Sequence, residues 1–397
     1  MKVAQICTNV MSGSVGGIVR QLYLGIKQNG DECMIFYGRG SEPIGFKAYK
    51  FDNDFDIYSH LMLARTYDAD GFGSNKATKK LVSALEKFDP DIVHIHCLHG
   101  YYINISILYE YFKKNNIKVV WTMHDCWAYT GHCTYYSFVG CEKWKKGCSD
   151  CVQKKCYPKS PFLDNSCRNF KKKERIFASL DKKNIKLVSP SNWLAEEIRE
   201  SFLSNYEVLV IPNGVDNKFA PNNKTRKNNV ILGVANKWDK RKGLSDFLEL
   251  SRYIGNEYTI KLIGVSEKDK QRLENYKNII SINRTSNVQE LIELYRSSLA
   301  LFNPTYEDNY PTVNIEAIAC GLPVITYPSG GSPEIVKKTN CGTIVPYKRY
   351  DLIINYLQKL SNVHNNFNIN NSYLDSLHST FMIKQYLDVY RKMFRNE

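Results

Sequence analysis

The 397-residue sequence has no run of eighteen apolar residues, so no transmembrane helix is expected. Its opening has little in common with an export signal. Met1 leads into "KVAQICTNV", which alternates like a first strand and lacks the apolar core and small-residue cleavage site of a signal peptide. Acidic residues are also scarce: 40 Asp and Glu stand against 54 Lys and Arg, a formal net charge of +14. The expectation is a cytoplasmic protein, where thiols stay reduced and clustered cysteines favour metal over disulfides.

The positive charge is unevenly spread. Between Cys141 and Lys186, fourteen Lys and Arg face five Asp and Glu, with "KWKK" and "KKKER" prominent. Nucleic acid, an anionic membrane surface and phosphorylated substrates all suit such a stretch. A solvated, Lys-rich surface is the plain alternative.

The length favours two domains. "KVAQICT", "CMIFYG", "DIVHIHC", "KVVWTMH" and "KLVSPS" read as buried strands alternating with helical patterns. A second set begins near Val230 with "VILGVAN", "YTIKLIG", "NIISINR", "LALFNP", "PVITY" and "GTIVP". This is the rhythm of α/β architecture: two Rossmann-like αβα domains, each with a parallel sheet. The expected division is 1–205, 206–374 and a terminal helix over 375–397 packing back across the domains. "APNNKTRKNN", Ala220 to Asn229, reads as a linker. Ligands of such sheets bind at the carboxyl ends of the strands, which implies a cleft where two such domains face each other.

The segment "NPTYEDNYPTVNIEAIACGLPVITYPSGGSPE" is the most informative. Pro311 suits the first position of a helix. The N–H groups of Thr312, Val313 and Asn314 would then form an anion site suited to a diphosphate. Glu316, further along the helix, could accept ribose hydroxyls, and Asp308 could face a sugar. An ordinary strand–loop–helix with a capping Asp is the alternative.

The spacing D-x7-E from Asp308 to Glu316, followed by "ACGLPV", resembles the signature of retaining glycosyltransferases of family four, which have the glycosyltransferase-B fold. "GSVGGIVRQL", "HDCWAYTGHC", "SPSNWL", "IPNGVD", "DKRKGL" and "YPSGGSPEIV" resemble the family's other motifs in order. The Cys-rich segment is most similar to transferases of capsule, exopolysaccharide and colanic-acid type. The resemblance implies a hexosyltransferase that uses a nucleotide-diphosphate sugar, UDP ahead of GDP. It would build a lipid-linked surface-polysaccharide glycan with retention of configuration. Lys242 fits the family's phosphate-binding lysine. Asn236 stands where many relatives have an arginine, a role that Arg241 or Lys237 could take. Asp308 replaces the usual first glutamate.

Gly16 and Gly17 sit where backbone can approach a phosphate or sugar. His124 is expected at the transferred sugar and Asp125 at the acceptor hydroxyl. Trp127 and Tyr129 are expected to stack on the acceptor, with packing against the domain as the alternative. His94, His96 and His99 read as structural rather than metal-bound. "DFD", "DAD" and "DPD" imitate a metal-binding triplet, but Lys242, Arg241 and the helix N-terminus can neutralise a diphosphate without a catalytic metal. Cys133, Cys141, Cys148 and Cys151, spaced C-x7-C-x6-C-x2-C, are the candidate ligands of a structural zinc. Packing thiols and disulfides are the alternatives. The partners implied are the donor, the glycan acceptor and the inner face of an anionic membrane, not nucleic acid. A basic zinc protein gripping nucleic acid and a nucleotide-sugar epimerase are the rival readings.

Overall fold

β1 (Lys2–Cys7) has five of its six residues buried. A strand covered on both faces reads as a near-continuous apolar run, as parallel sheets require. The computed structural model describes residues 1–222, 229–362 and 371–397. β1 sits within a seven-stranded sheet with β2 (Glu32–Tyr37), β3 (Ala48–Lys50), β4 (Ile92–Ile95), β5 (Val119–Thr122), β6 (Ile185–Ser189) and β7 (Val208–Val210). The order is β3-β2-β1-β4-β5-β6-β7 and every pairing is parallel.

The second sheet contains β8 (Val230–Val234), β9 (Thr259–Ile263), β10 (Ile279–Ile282), β11 (Ala300–Asn303), β12 (Val324–Thr326) and β13 (Gly342–Ile344). Its order is β10-β9-β8-β11-β12-β13, again parallel throughout. Strand order reverses between β1 and β4 in the first sheet and between β8 and β11 in the second. The crevice beyond the carboxyl ends of such strand pairs is where open α/β sheets take ligands.

The chain divides into one unit of Met1–Pro212 with Ile383–Glu397, and another of Asn213–Met382. The first unit runs past residue 205 because β7 completes its sheet. Residues 223–228 of the expected linker lie outside the described residues. The "DFD" stretch, read as polar chain between elements, starts the helix Asp54–Tyr67, where Asn53 caps the Asp56 N–H. The expected long terminal helix is broken: Asn371–Leu374 and a tight turn at Asp375–Leu377 precede the helix Ser379–Arg395.

That last helix is tied to the first sheet through polar groups buried among apolar ones. The Tyr390 hydroxyl lies 2.6 Å from His94 Nδ1, and His94 Nε2 lies 2.8 Å from Thr122 Oγ1. The Tyr386 hydroxyl is 2.8 Å from Thr122 Oγ1. Buried polar groups hydrogen-bonded in this way fix one docking register for the helix.

Candidate active site

In the second unit, the loop after β8 folds back on the loop after β11. Gly243 takes the left-handed conformation with φ +71°, and a Cβ there would lie 2.3 Å from the Pro304 carbonyl oxygen. The Tyr306 N–H donates to the Arg241 carbonyl at 2.8 Å, and the Thr305 hydroxyl donates to it at 3.4 Å. These contacts staple Lys242 opposite Asp308, with Nζ 2.5 Å from Oδ2. Arg241 Nη1 donates to the Glu307 carbonyl at 3.3 Å, so two cations converge on the β11 loop. Asn236 and Lys237 are exposed.

The helix Thr312–Ala319 follows, with Pro311 as its cap at φ −65°, one residue outside the helix. Thr312 and Val313 open the first turn. The Asn314 N–H, expected to be free, instead donates to the Pro311 carbonyl at 3.1 Å. The Asn314 side chain is fully buried, its Oδ1 accepting from Asn303 at 2.8 Å. Its Nδ2 has no partner among the described residues. Glu316 accepts from the Tyr295 hydroxyl at 2.8 Å. Burial pushes the Glu316 carboxyl up to about 7, against hydrogen bonds from Tyr295 and Thr312 that act downward.

In the first unit, Gly16 and Gly17 are the fourth and fifth residues of the helix Gly13–Gln28, not part of a preceding loop. A Cβ on Gly16 would lie 2.5 Å from the Val10 carbonyl oxygen, so this glycine admits the chain's own loop. Gly17 has nothing within 4 Å of such a Cβ.

His124 follows β5, and its Nε2 lies 3.2 Å from His96 Nδ1. Burial lowers its pKa to about 4, with Asp125 acting upward and His99 downward. Asp125 has both oxygens engaged: Oδ2 lies 2.6 Å from His99 Nε2 and Oδ1 accepts the Trp127 N–H at 2.9 Å. Burial alone would raise Asp125, but the facing His99 outweighs it and holds the carboxyl low. Burial alone would lower His99, but Asp125 and Tyr157 hold it well above its ordinary value.

Cys97, His99 and Asp125 bring ligating atoms within 4.8 Å of one another, a potential metal-binding triad. Both His99 nitrogens are engaged, however, Nε2 with Asp125 and Nδ1 with the Tyr157 hydroxyl at 2.9 Å. The "DAD" and "DPD" triplets have partners far along the chain. Asp68 Oδ1 meets His132 at 2.5 Å, Asp70 accepts the Tyr101 N–H at 3.1 Å, and Asp91 accepts the Lys2 N–H at 2.6 Å.

Trp127 and Tyr129 require a correction. Trp127 is 2% exposed and Tyr129 fully buried, so neither presents a face to an acceptor. The Lys173 ammonium sits 3.4 Å from the Trp127 ring centroid, and Tyr129 packs against Trp144 at 5.1 Å. These aromatics form the core that anchors the Cys-rich segment.

Among the cysteines, the Cys133 thiol hydrogen-bonds Cys151 and lowers its pKa. Cys148 accepts the Gly131 N–H at 3.1 Å and lies within electrostatic reach of Cys151 and Cys141. The thiols suit a thiophilic ion. The four are neighbours but not a closed tetrahedron: among the described residues, the Cys97 triad alone brings three or more ligating atoms within 4.8 Å.

Sequence reading missed Gln5. Its Oε1 lies 3.1 Å from His96 Nε2, and it is fully buried within β1. The signal was a lone amide in an otherwise apolar strand.

The family model described as "Glycosyltransferase Family 4" matches residues 15–219, and that described as "Glycosyl transferases group 1" matches residues 215–368. The putative colanic acid biosynthesis glycosyl transferase WcaC of Escherichia coli (strain K12) is 23% identical over 365 residues, 87% of each chain. The capsular polysaccharide biosynthesis glycosyltransferase CapM of Staphylococcus aureus is 26% identical over 149 residues, covering 35% of this chain and 38% of that one. A glycosyltransferase from Rickettsia africae superposes with a TM-score of 0.70 at 16% identity, covering 100% of this chain and 99% of that one. Anabaena HepE in complex with UDP and glucose gives 0.66 at 12% identity, covering 98% and 99%. These superpositions identify the glycosyltransferase-B fold.

Proposed function

The chain belongs to Glycosyltransferase Family 4, and from that membership we propose that it moves a hexose, with retention of configuration, onto a lipid-linked surface-polysaccharide glycan. It is a nucleotide-sugar-dependent glycosyltransferase; the carrier in this reading is UDP ahead of GDP. The observation that carries the reading is the Lys242–Asp308 pair beside the helix Thr312–Ala319.

Lys242, with Arg241 beside it, takes the diphosphate together with the Thr312 and Val313 N–H groups at the positive helix end. The arriving phosphate replaces Asp308 as the partner of Lys242. Asp308 is thereby released to orient the donor sugar. Glu316 accepts ribose hydroxyls, and Gly17 leaves backbone open to the ligand. These cationic groups stabilise the charge that develops on the leaving diphosphate, so no catalytic metal is invoked. The leaving phosphate then accepts the proton of the acceptor hydroxyl on the face where the new bond forms. His124 contacts the transferred sugar. The engaged oxygens of Asp125 favour a holding role over proton abstraction.

The names of the colanic-acid and capsular relatives support a polysaccharide product. Membrane contact is supported by Val152 and Phe162, each 71% exposed, interleaved with exposed Lys155 and Lys159. Apolar tips among lysines suit an anionic bilayer interface. Cys133, Cys141, Cys148 and Cys151 hold a structural zinc in this reading, which requires the sulfurs to close around the ion.

The test is a screen of UDP- and GDP-sugars for binding and slow donor hydrolysis. A UDP-sugar should be bound and hydrolysed, with both effects reduced in Lys242→Ala. Absence of binding to every nucleotide sugar would overturn the reading.

A further inference from the structure

We infer that Gln5 and His96 are positioning residues that fix the tautomer of His124, leaving its Nδ1 as a hydrogen-bond acceptor for a hydroxyl of the transferred sugar. The inference rests on the assignment of His124 to that sugar. The direction of each hydrogen bond follows from its neighbour. Gln5 Nε2 lies 3.2 Å from the Val19 carbonyl oxygen, which can only accept, so the amide orientation is fixed. Its second contact, Cys33 Sγ at 3.4 Å, suits the same NH₂ group. Gln5 Oε1 therefore faces His96 Nε2 at 3.1 Å, and that nitrogen must carry the proton.

His96 is 1% exposed and its ring lies 4.1 Å from that of His94, with no carboxylate among its hydrogen-bond partners. A second proton on this ring would be a buried, unpaired charge beside other imidazoles, so the ring is neutral. Its Nδ1 then offers a lone pair, and His124 Nε2, 3.2 Å away, must donate. With Nε2–H engaged, neutral His124 keeps its lone pair on Nδ1. Nδ1 has no hydrogen-bond partner among the described residues. Without Gln5, His96 could take the other tautomer, reverse the chain and turn His124 Nδ1 into a donor.

The parallel register makes this arrangement possible. Gln5 pairs with His94 across β1 and β4, which sets the amide beside the residues that leave β4. The polarity is thus set at the switch point of the sheet and delivered at the end of β5.

The direct test is long-range proton–nitrogen NMR of the full-length protein with ¹⁵N-labelled histidine, assigned with His96→Asn and His124→Asn. His96 and His124 should both be protonated at Nε2 in the unliganded wild type. Protonation of His124 at Nδ1 would overturn the inference, whatever the enzyme transfers. Gln5→Met keeps the side-chain length and removes the acceptor. It should give mixed tautomers at His124 and lower kcat by about threefold to tenfold, with UDP affinity unchanged. A variant that keeps the wild-type tautomer and kcat would also overturn it. Failure to bind any nucleotide sugar would instead sink the functional reading and leave the NMR result intact.

Discussion

The Lys242 ammonium and the Asp308 carboxylate, 66 residues apart in sequence, form an ion pair 2.5 Å long. Asp308 therefore competes with any anion for Lys242. Replacing Asp308 by Asn should release the lysine and raise UDP affinity by about two- to fivefold, the scale of a partly exposed pair. Turnover should nevertheless fall, since the sugar loses its carboxylate. Lys242→Ala should weaken UDP by about 1.5–3 kcal/mol, as expected for a charged hydrogen bond. Titration calorimetry with UDP, combined with a donor-hydrolysis assay, separates the two effects. Weaker UDP binding in Asp308→Asn would contradict the competition.

Glu316 should couple donor binding to stability. Its folded pKa of about 7 lies above the ordinary value of 4.5. A raised carboxyl pKa means the protein is relatively stabilised below pH 4.5 and loses that stability as pH rises through 7. Glu316→Gln should therefore be more stable than wild type at pH 8, by about 2–3 kcal/mol. The gain should vanish near pH 4.5. Nucleotide affinity should fall in the same variant. Urea titrations at the two pH values measure the difference, and equal stability at pH 8 would mean that the carboxylate is well solvated.

Tyr390→Phe should destabilise the first unit by about 1–3 kcal/mol, because His94 Nδ1 would lose its buried partner. Tyr253, 62% exposed, provides the control, and Tyr253→Phe should be nearly neutral. Thermal denaturation of both variants tests the claim. Equal melting temperatures would show that the terminal helix docks without this hydrogen bond.

Purified protein without a metal-binding tag should carry about one zinc per chain if the four cysteines close on an ion. Cys148→Ser or Cys151→Ser should release it and loosen the segment, with UDP affinity little changed. Brief EDTA treatment should leave turnover largely intact. Metal-free protein with full activity would reduce the cysteines to packing thiols. Activity restored specifically by Mn²⁺ or Mg²⁺ would implicate a catalytic ion.

Vesicle sedimentation should show binding to anionic but not zwitterionic lipid, weakening with salt. A Val152→Ser, Phe162→Ser variant should lose most of that binding while keeping UDP affinity. Equal binding to both lipid types would remove the charge argument.

By itself, the sequence determined the two parallel sheets, because buried strands and amphipathic helices write their periods locally. "KVAQIC" and "VILGV" announce β1 and β8 as apolar runs. β3 and β7, partly buried strands at the two edges of the first sheet, were missed. The spacing from Asp308 to Glu316 was legible for the same reason: one loop and one helix hold both. Contacts made across the fold were not legible. Gln5 and His96 are 91 residues apart, and only the pairing of β1 with β4 brings them together. The burial of Trp127 depends on Lys173, 46 residues on, whose Nζ donates to the Trp127 carbonyl at 2.8 Å. Its place just after His124 suggested Trp127 as a sugar platform, with packing as the alternative, and packing made it core. Parallel crossovers join distant segments, so the tertiary structure alone decided which polar side chains meet and which are enclosed.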